Sequence, residues 1–285
     1  DLPLRLAEAG GIYRFELSGT LTGLIRVRGA ITQNDSHIYT TPADLKSELR
    51  KILELFRDVY SEVGLKDYSF RLSLPDFKKK ENKFTGDKQL WQWATDELSS
   101  VLKESGLPYT EVPGEAAFYG PKLDVQFKNV MGKEDTLATA QIDILVPKRM
   151  DLTYVDDKGQ KQNPIVIHRA ILGSYERFIA FLLEQTAGRL PLWLSPIQAA
   201  VLPISETHNA YAAEVVAELK SHKIRARIFN ENMTLGKKIR SAELQKIPYI
   251  LIVGDKEIAS DRVSIRHSVK GDLGSLKIKE LAEKL

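Results

Sequence analysis

The chain contains no cysteine. Disulfides and thiolate metal ligands within these residues are therefore excluded. Long apolar runs are missing as well. The longest, such as residues 250–253, fall far short of the roughly 20 residues a membrane-spanning helix needs. No signal-peptide pattern opens the chain. A strong charge imbalance is also absent: 41 Lys and Arg stand against 38 Asp and Glu, for a net charge of +3. Such a balance permits contact with phosphates or RNA without arguing for it, so charge placement has to decide. The first residue is Asp1, not methionine, and it opens directly on a motif-rich stretch. The N-terminus therefore reads as cut, by processing or because the gene is partial. What is present is ordinary for a soluble globular protein, with 43% hydrophobic and 28% charged residues, and 285 residues predict two domains.

Residues 1–40 alternate apolar and polar groups. Leu2, Leu4 and Leu6 fit one strand; Leu24, Ile25 and Val27, then residues 37–39, fit others, with a loop over 19–23. Residues 43–62 predict a helix with Leu45, Leu49, Ile52, Phe56 and Val59 on one stripe, started by Thr41-Pro42. Lys78, Lys79, Lys80 and Lys83 read as a solvated loop. A second helix is expected over 88–105, closed by Gly106-Leu107-Pro108. A turn over 114–122, strands 123–128 and 137–145, and a hairpin turn at 156–159 follow. The segment 164–185 starts extended and becomes a helix with Ile171, Tyr175, Phe178, Ile179 and Leu182 on one side. Without βαβ alternation, this half predicts an antiparallel sheet carrying helices.

Residues 188–196 carry two prolines, a glycine and a tryptophan, and mark a domain boundary. Beyond them strands are expected at 199–204, 224–229, 249–253 and 263–266, with helices at 207–222 and 235–245 and a C-terminal helix from near Leu276. That order predicts a small doubly wound domain with a mainly parallel sheet.

Two stretches can carry chemistry. In the first, Arg14-x-Glu16 precedes a Gly-containing loop and Arg26-Val27-Arg28. Arginine's planar fork matches the paired oxygens of a phosphate, so this set could hold a polyphosphate. Surface arginines on an amphipathic hairpin are the plainer alternative. In the second, residues 167–178, Arg177 sits one turn into an apolar helix. An arginine so placed calls for an anionic ligand or a carboxylate partner, Glu16 or Glu176.

Arg14-x-Glu16 resembles motif 2 of class II aminoacyl-tRNA synthetases, and Gly173-Ser174-Tyr175-Glu176-Arg177-Phe178 resembles their motif 3. Residues 24–29, 32–38, 117–122 and 167–174 narrow the resemblance to the threonyl-tRNA synthetase family. Residues 235–240, 247–249 and 254–257 are similar to that family's anticodon-binding domain. The resemblance runs in order along essentially the whole chain. It implies an α+β class II core, partial and built on an antiparallel sheet with helices, over residues 1–194. It implies a small α/β anticodon-binding domain over 195–285. The implied activity is threonine–tRNA ligation: ATP-dependent formation of threonyl-adenylate, then transfer to threonine tRNA.

By the resemblance, Arg14 clamps the ATP α-phosphate and the amino acid carboxylate, and Glu16 lies near the adenine amino group. Arg26 and Arg177 hold the γ end of the triphosphate, with Mg2+ on the phosphates. Gln141 and Ser174 are placed with the nucleotide. Gln33, Asp35, Tyr119 and Gln141 line the threonine pocket, Asp35 accepting from the threonine hydroxyl. His37 and His168 match two of three zinc ligands, one zinc per chain in the intact protein. The third ligand in the family is an upstream cysteine. Lys122 faces the tRNA acceptor end, while Asn232, Glu257 and Arg266 read anticodon bases. Lys237, Lys238 and Arg240, at the start of one predicted helix, are expected on RNA phosphates. A homodimer, a cytoplasmic location and no membrane contact complete the expectation.

The chain departs from the family at three places. Gly29-Ala30-Ile31-Thr32 lacks the adenine-stacking aromatic and carries one extra residue. Thr136 replaces a glutamine, and Ser73-Leu74-Pro75-Asp76 replaces a Ser-Thr-Arg-Pro segment. The missing aromatic motivates one alternative, a synthetase-like tRNA-binding or regulatory protein of impaired activity. A second, an enzyme for proline or serine, is opposed by the His37–His168 pair.

Overall fold

Polar and apolar residues alternate along most strands of the first half, and the sheet they build has two chemically different faces. The computed structural model describes residues 1–13, 30–78 and 84–284. They divide into two units, Asp1–Gln185 and Thr186–Leu285. The first unit holds, in chain order, β1 (Leu4–Tyr13), β2 (Ala30–Thr40), α1 (Leu45–Glu62), β3 (Tyr68–Leu74), α2 (Lys88–Ser105), β4 (Tyr109–Pro113), β5 (Lys122–Lys128), β6 (Glu134–Asp143), α3 (Val146–Arg149), β7 (Tyr154–Val155), β8 (Lys161–Gln162), β9 (Ile165–Ala170) and α4 (Tyr175–Gln185). Seven strands form one sheet in the order β1-β2-β9-β6-β5-β3-β4. Its pairings are antiparallel except β3–β4, which is parallel. The expectation of a sheet without a βαβ unit is corrected at this edge. A parallel pair needs a long crossover, and α2 supplies it.

The helices begin and end where local chemistry dictates. Asp87 caps α2 by accepting from the Gln89 amide at 2.8 Å, and Gly106 closes it at φ 67°. One face of α1 buries Leu45, Leu49, Ile52, Phe56 and Tyr60; α2 buries Trp91, Ala94, Leu98, Val101 and Leu102. These meet the apolar face of the sheet, where Ile38, Phe70, Leu72, Leu123, Val125, Ile142 and Ile167 are each at most 2% exposed. Aromatic contacts Phe56–Phe70, Tyr60–Phe127 and Phe127–Phe181 join α1, β3, β5 and α4 into one core. Each such buried side chain contributes about 1.5–3 kcal/mol. Glu48, 2% exposed at the start of α1, accepts two bonds from Arg5 and one from Lys51.

Leu4, Leu6 and Ile179 are apolar yet exposed, and only Ile179 departs from its expected buried stripe. Leu4 and Leu6 do lie on a strand, but they are 47% and 51% exposed. They share the polar face of the sheet, opposite Tyr39 and His37. Ile179 is 53% exposed, because α4 buries Phe178, Ala180, Phe181 and Leu182 instead. The expected strand over Leu24–Val27 lies outside the described residues.

The second unit holds β10 (Ala199–Pro203), α5 (Asn209–Ser221), β11 (Ala226–Ile228), α6 (Leu235–Leu244), β12 (Tyr249–Val253), α7 (Asp255–Ser260), β13 (Val263–His267), β14 (Gly271–Leu276) and α8 (Ile278–Ala282). The strand order is β11-β10-β12-β13-β14. β10 is wholly buried, sending Ala199 and Val201 into one core and Ala200 and Leu202 into the other. β10 pairs in parallel with β11 and β12, whereas β12–β13 and β13–β14 are antiparallel. A mainly parallel sheet is therefore corrected to a mixed one. β14 escapes a sequence reading because it carries two glycines and no apolar alternation. Since Leu276 ends β14, the last helix starts at Ile278.

Candidate functional site

Antiparallel register places paired residues on the same face, and one register line crosses six strands. It runs Leu6, His37, His168, Gln141, Lys122, Ser73. The next line on that face runs Ala170, Thr139, Asp124, Arg71. Residues from four separate sequence regions thus meet on a polar surface backed by the apolar core.

His37 and His168 are direct cross-strand neighbours, with ring centroids 4.7 Å apart. His168 Nε2 lies 3.0 Å from Asp143 Oδ2. A carboxylate can only accept, so Asp143 takes this bond from the Nε2–H. Tyr119 packs 5.2 Å from the His168 ring and donates its hydroxyl to Gln141 Oε1. Burial, then the charges of Asp143 and Asp35, push the Tyr119 phenol up to about 12. It therefore remains a donor throughout the physiological range. Asp35 Oδ1 accepts from the Ser36 amide at 2.9 Å.

Backbone approach fixes this cluster. The Tyr119 and Pro121 carbonyls accept from the amides of Ile144 and Ile142, each at 3.0 Å. A Cβ on the intervening Gly120 would stand 1.7 Å from the Ile142 carbonyl oxygen. Gly173 meets a similar limit: φ is +64°, and an added Cβ would lie 2.1 Å from the Leu137 oxygen. The Gly173 carbonyl accepts from the Asn34 amide at 2.9 Å, and Gln33 bridges to Ser174. These contacts bring the start of α4 against β2.

A cleft of about 540 Å³ opens on the same face. Gln33, Lys122, Gln141, Ser174 and Arg177 line it, together with Ile31, Asp124 and Thr136. Glu176, named above as one partner for Arg177, accepts from the Thr32 amide at 3.0 Å. Bonds from its own amide and from that of Thr32 hold its carboxyl below the usual range. Arg14, Glu16 and Arg26 lie outside the described residues.

Zinc needs three protein ligands and a fourth position for water or substrate. Among the described residues no group of three His, Cys, Asp or Glu side chains can hold a metal ion. His37 and His168 lie side by side as two of the three side chains such a site needs, and the described residues hold no third.

Asp124 was not among the sequence candidates. It is 2% exposed and receives Lys122 Nζ at 2.8 Å, Arg71 Nη2 at 3.4 Å, Ser73 Oγ at 3.3 Å and Thr139 Oγ1 at 3.2 Å. A signal exists in the sequence. Lys122, Asp124 and Gln126 alternate with the buried Leu123, Val125 and Phe127.

In the second unit Glu257 is tied to Ser264 on β13, and Arg266 lies on the same strand. Glu257 accepts from the Gly254 amide at 3.0 Å and from Ser264 Oγ at 2.7 Å. Arg266 is two residues from Ser264 on β13 and sits 3.3 Å from Glu243. Ser264 and Arg266 also line a pocket of about 260 Å³. Asn232 is exposed in the turn before α6, and no described contact ties it to either. Lys237 and Arg240 are exposed, as expected. Lys238 is not: it is 4% exposed and donates Nζ to the Pro203 carbonyl at 2.9 Å. Its assignment to an RNA phosphate is therefore corrected. Lys238→Ala is expected to destabilise the chain by about 2 kcal/mol by orphaning a buried carbonyl. Thermal melting checks this, with Lys237→Ala as the exposed control. Equal melting of the two variants would refute the structural role.

Residues 1–186 match the tRNA synthetase class II core domain (G, H, P, S and T), and residues 198–285 match the anticodon binding domain. Threonine–tRNA ligases of Staphylococcus carnosus and Staphylococcus aureus are each 48% identical over 267 residues. Those residues are 93% of this chain and 41% of each relative, so the chain spans well under half the length of those proteins. A crystal structure described as the RNA binding domain of threonyl-tRNA synthetase from Cryptosporidium parvum superposes with a TM-score of 0.88. The two are 36% identical, over 99% of this chain and 70% of that one. No helix among the described residues is long and apolar enough to cross a membrane.

Proposed function

Because this chain belongs to the threonyl-tRNA synthetase family of class II tRNA synthetases, we propose that it activates threonine with ATP and transfers it to threonine tRNA. The observation that carries this reading is the register line that gathers His37, His168, Gln141 and Lys122 beside a cleft reaching Ser174 and Arg177.

In the proposed reaction a threonine carboxylate oxygen attacks the ATP α-phosphorus and pyrophosphate leaves with its Mg2+. Two anions must meet, so cations are needed where negative charge gathers. Arg14 bridges the carboxylate and the α-phosphate. Arg26 and Arg177 hold the far phosphates, and Ser174 fixes the start of α4 beside them. Glu16 takes the adenine amino group, with Ile31 as an aliphatic platform. Asp35 accepts a hydrogen bond from the threonine hydroxyl, Tyr119 is held by Gln141, and Gln33 closes the pocket wall. A site built around a hydroxyl strongly rejects an analogue that lacks one.

His37 and His168 contribute two zinc ligands in this reading, and a cysteine that these 285 residues do not contain supplies the third. Zinc bound there would supply Lewis-acid contact to the substrate's amino and hydroxyl groups. In this reading the core reaches residue 194 and the anticodon-binding domain starts at 195, within the stretch between the two matched regions, 1–186 and 198–285. In that domain Glu257, Arg266 and Asn232 meet base edges, and Lys237 and Arg240 meet phosphates. The protein acts as a homodimer in the cytoplasm.

Exchange of labelled pyrophosphate into ATP tests the reading on the full gene product. The rate is expected to depend on threonine and to be far lower with valine. Exchange with neither amino acid, or equally with both, would overturn it. Metal analysis of the same protein is expected to give one zinc per chain, lost in His168→Ala; undiminished zinc in that variant would remove the ligand assignment.

A further inference from the structure

Glu257 is a long, half-buried side chain in the first turn of α7, yet neither of its oxygens is loose. Oε2 accepts from the Gly254 amide at 3.0 Å, and Oε1 accepts from the Ser264 hydroxyl at 2.7 Å. The first bond is local, a side chain reaching back to cap its own helix. The second crosses to β13, where Ser264 stands opposite Ile252 of β12. Val263 and Ile265, on either side of Ser264, are buried, and Ser264 itself is half-buried. A β-branched or aromatic residue would suit such a strand position better. Among the described residues the Ser264 hydroxyl makes one hydrogen bond, and it goes to Glu257.

A glutamate with free rotamers must be ordered when a base arrives, and that ordering costs affinity. Two donors, one on each oxygen, have already fixed the plane of this carboxylate. Each oxygen keeps a lone-pair position open, since a carboxylate offers about four. A fixed carboxylate acts on a base edge in two ways. It accepts from an edge that presents N–H groups, with no further ordering. It repels an edge that presents oxygens or ring-nitrogen lone pairs, because it cannot swing away. We infer that Ser264 is a positioning residue for anticodon discrimination: its hydroxyl holds the Glu257 carboxylate in the orientation that separates one base edge from another. The inference rests on the reading that Glu257 meets an anticodon base.

The test uses two RNA stem-loops, the anticodon arm of threonine tRNA and the same arm with its anticodon bases exchanged. The full chain is titrated with both by fluorescence anisotropy at several salt concentrations. The native chain is expected to prefer the first arm. Ser264→Ala is expected to shrink that preference about tenfold, the size of one hydrogen bond to a charged group. The slope of log affinity against log salt should stay as it is, because no phosphate contact is lost. Ser264→Thr keeps the hydroxyl and should hold the preference. Ser264→Val has nearly the same shape without the hydroxyl and should lose it. Glu257→Gln should lose it as well, and Ser264→Ala added to that variant should cost little more, since the two residues act as one unit. Equal weakening of both arms in Ser264→Ala, with the preference intact, would mean that the bond only ties α7 to β13, and the inference falls. A native preference in Ser264→Val overturns it too, so the Thr and Val variants decide the matter even if Ser264→Ala fails to fold. Preference lost in Glu257→Gln but kept in Ser264→Ala overturns the inference and leaves Glu257 as a base reader. Preference kept in Glu257→Gln, or absent from the native chain, removes that reading and the inference with it.

Discussion

An Arg177→Ala enzyme is expected to keep its fold and lose about 100- to 1000-fold in threonine-dependent pyrophosphate exchange, the effect of removing one preorganised charge at a transition state. The structural grounds begin with its helix. Arg177 is the third residue of α4, whose first turn is held from two sides. Ser174 accepts from the Arg177 amide at 3.4 Å, and Glu176 accepts from Thr32 at 3.0 Å. The backbone that carries the guanidinium is therefore tied to β2 by contacts that do not involve the guanidinium. Alanine is the best helix former, so the substitution leaves these ties in place. What disappears is a cation on the wall of the cleft. A contact to the far phosphates exists in bound ATP and tightens as charge develops, so the KM for ATP should rise together with the fall in kcat. Arg177→Lys is expected to recover only part of the rate, since an ammonium keeps the charge but not the planar two-point grip. Exchange within threefold of native in Arg177→Ala would remove the residue from the proposed mechanism.

The elements that were legible in the sequence have complete local signals. α2 has an apolar stripe, an Asp cap at its start and a Gly at its end, and its bounds of 88–105 are those expected. β3 carries a period-two pattern, with Phe70 and Leu72 buried between polar neighbours, and that signal would have found it. β4 is five residues long and β14 is glycine-rich, so neither announces itself. The site is a different matter. His37 and His168 are 131 positions apart, and only strand register joins them. No local pattern encodes that register, so the family resemblance rather than periodicity singled out the pair. Lys238 misleads for the opposite reason. A run of cations reads as solvated, yet Leu235, Lys238 and Ala242 repeat at helical spacing, and the lysine follows that stripe inward to the Pro203 carbonyl. Alternation along β5 marks the face on which Asp124 lies but not what it meets there. Its partners come from β3, β5 and β6.

Gly120→Ala is expected to be the most damaging single-methyl change in the first unit. The backbone conformation is not the reason, since Gly120 is not among the glycines at positive φ. The reason is the wall it faces. An added Cβ would stand 1.7 Å from the Ile142 oxygen and 2.8 Å from its carbonyl carbon, and both are backbone atoms of a central strand. A side chain could swing aside; β6 cannot, because β5 and β9 hold it on both edges. The segment at residues 119–121 must therefore retreat by more than an ångström. That breaks its two 3.0 Å hydrogen bonds to the Ile142 and Ile144 amides. Overpacking against fixed backbone with loss of buried bonds destabilises by about 3 kcal/mol or more. At 2–4 °C per kcal/mol, the melting temperature should fall by about 6–12 °C. Gly236→Ala is the matched control. Nothing lies within 4 Å of a Cβ there, and the residue is helical, so that change should gain up to about 1 kcal/mol. The retreat also carries Tyr119 away from Gln141 and His168. The phenol is held near 12 by burial and by Asp143 and Asp35. Once displaced toward water it should titrate closer to 10, which ultraviolet absorbance at alkaline pH can follow where the variant stays folded. A Gly120→Ala chain that melts with the native protein and leaves the Tyr119 titration in place would show that the close approach to Ile142 does not exist.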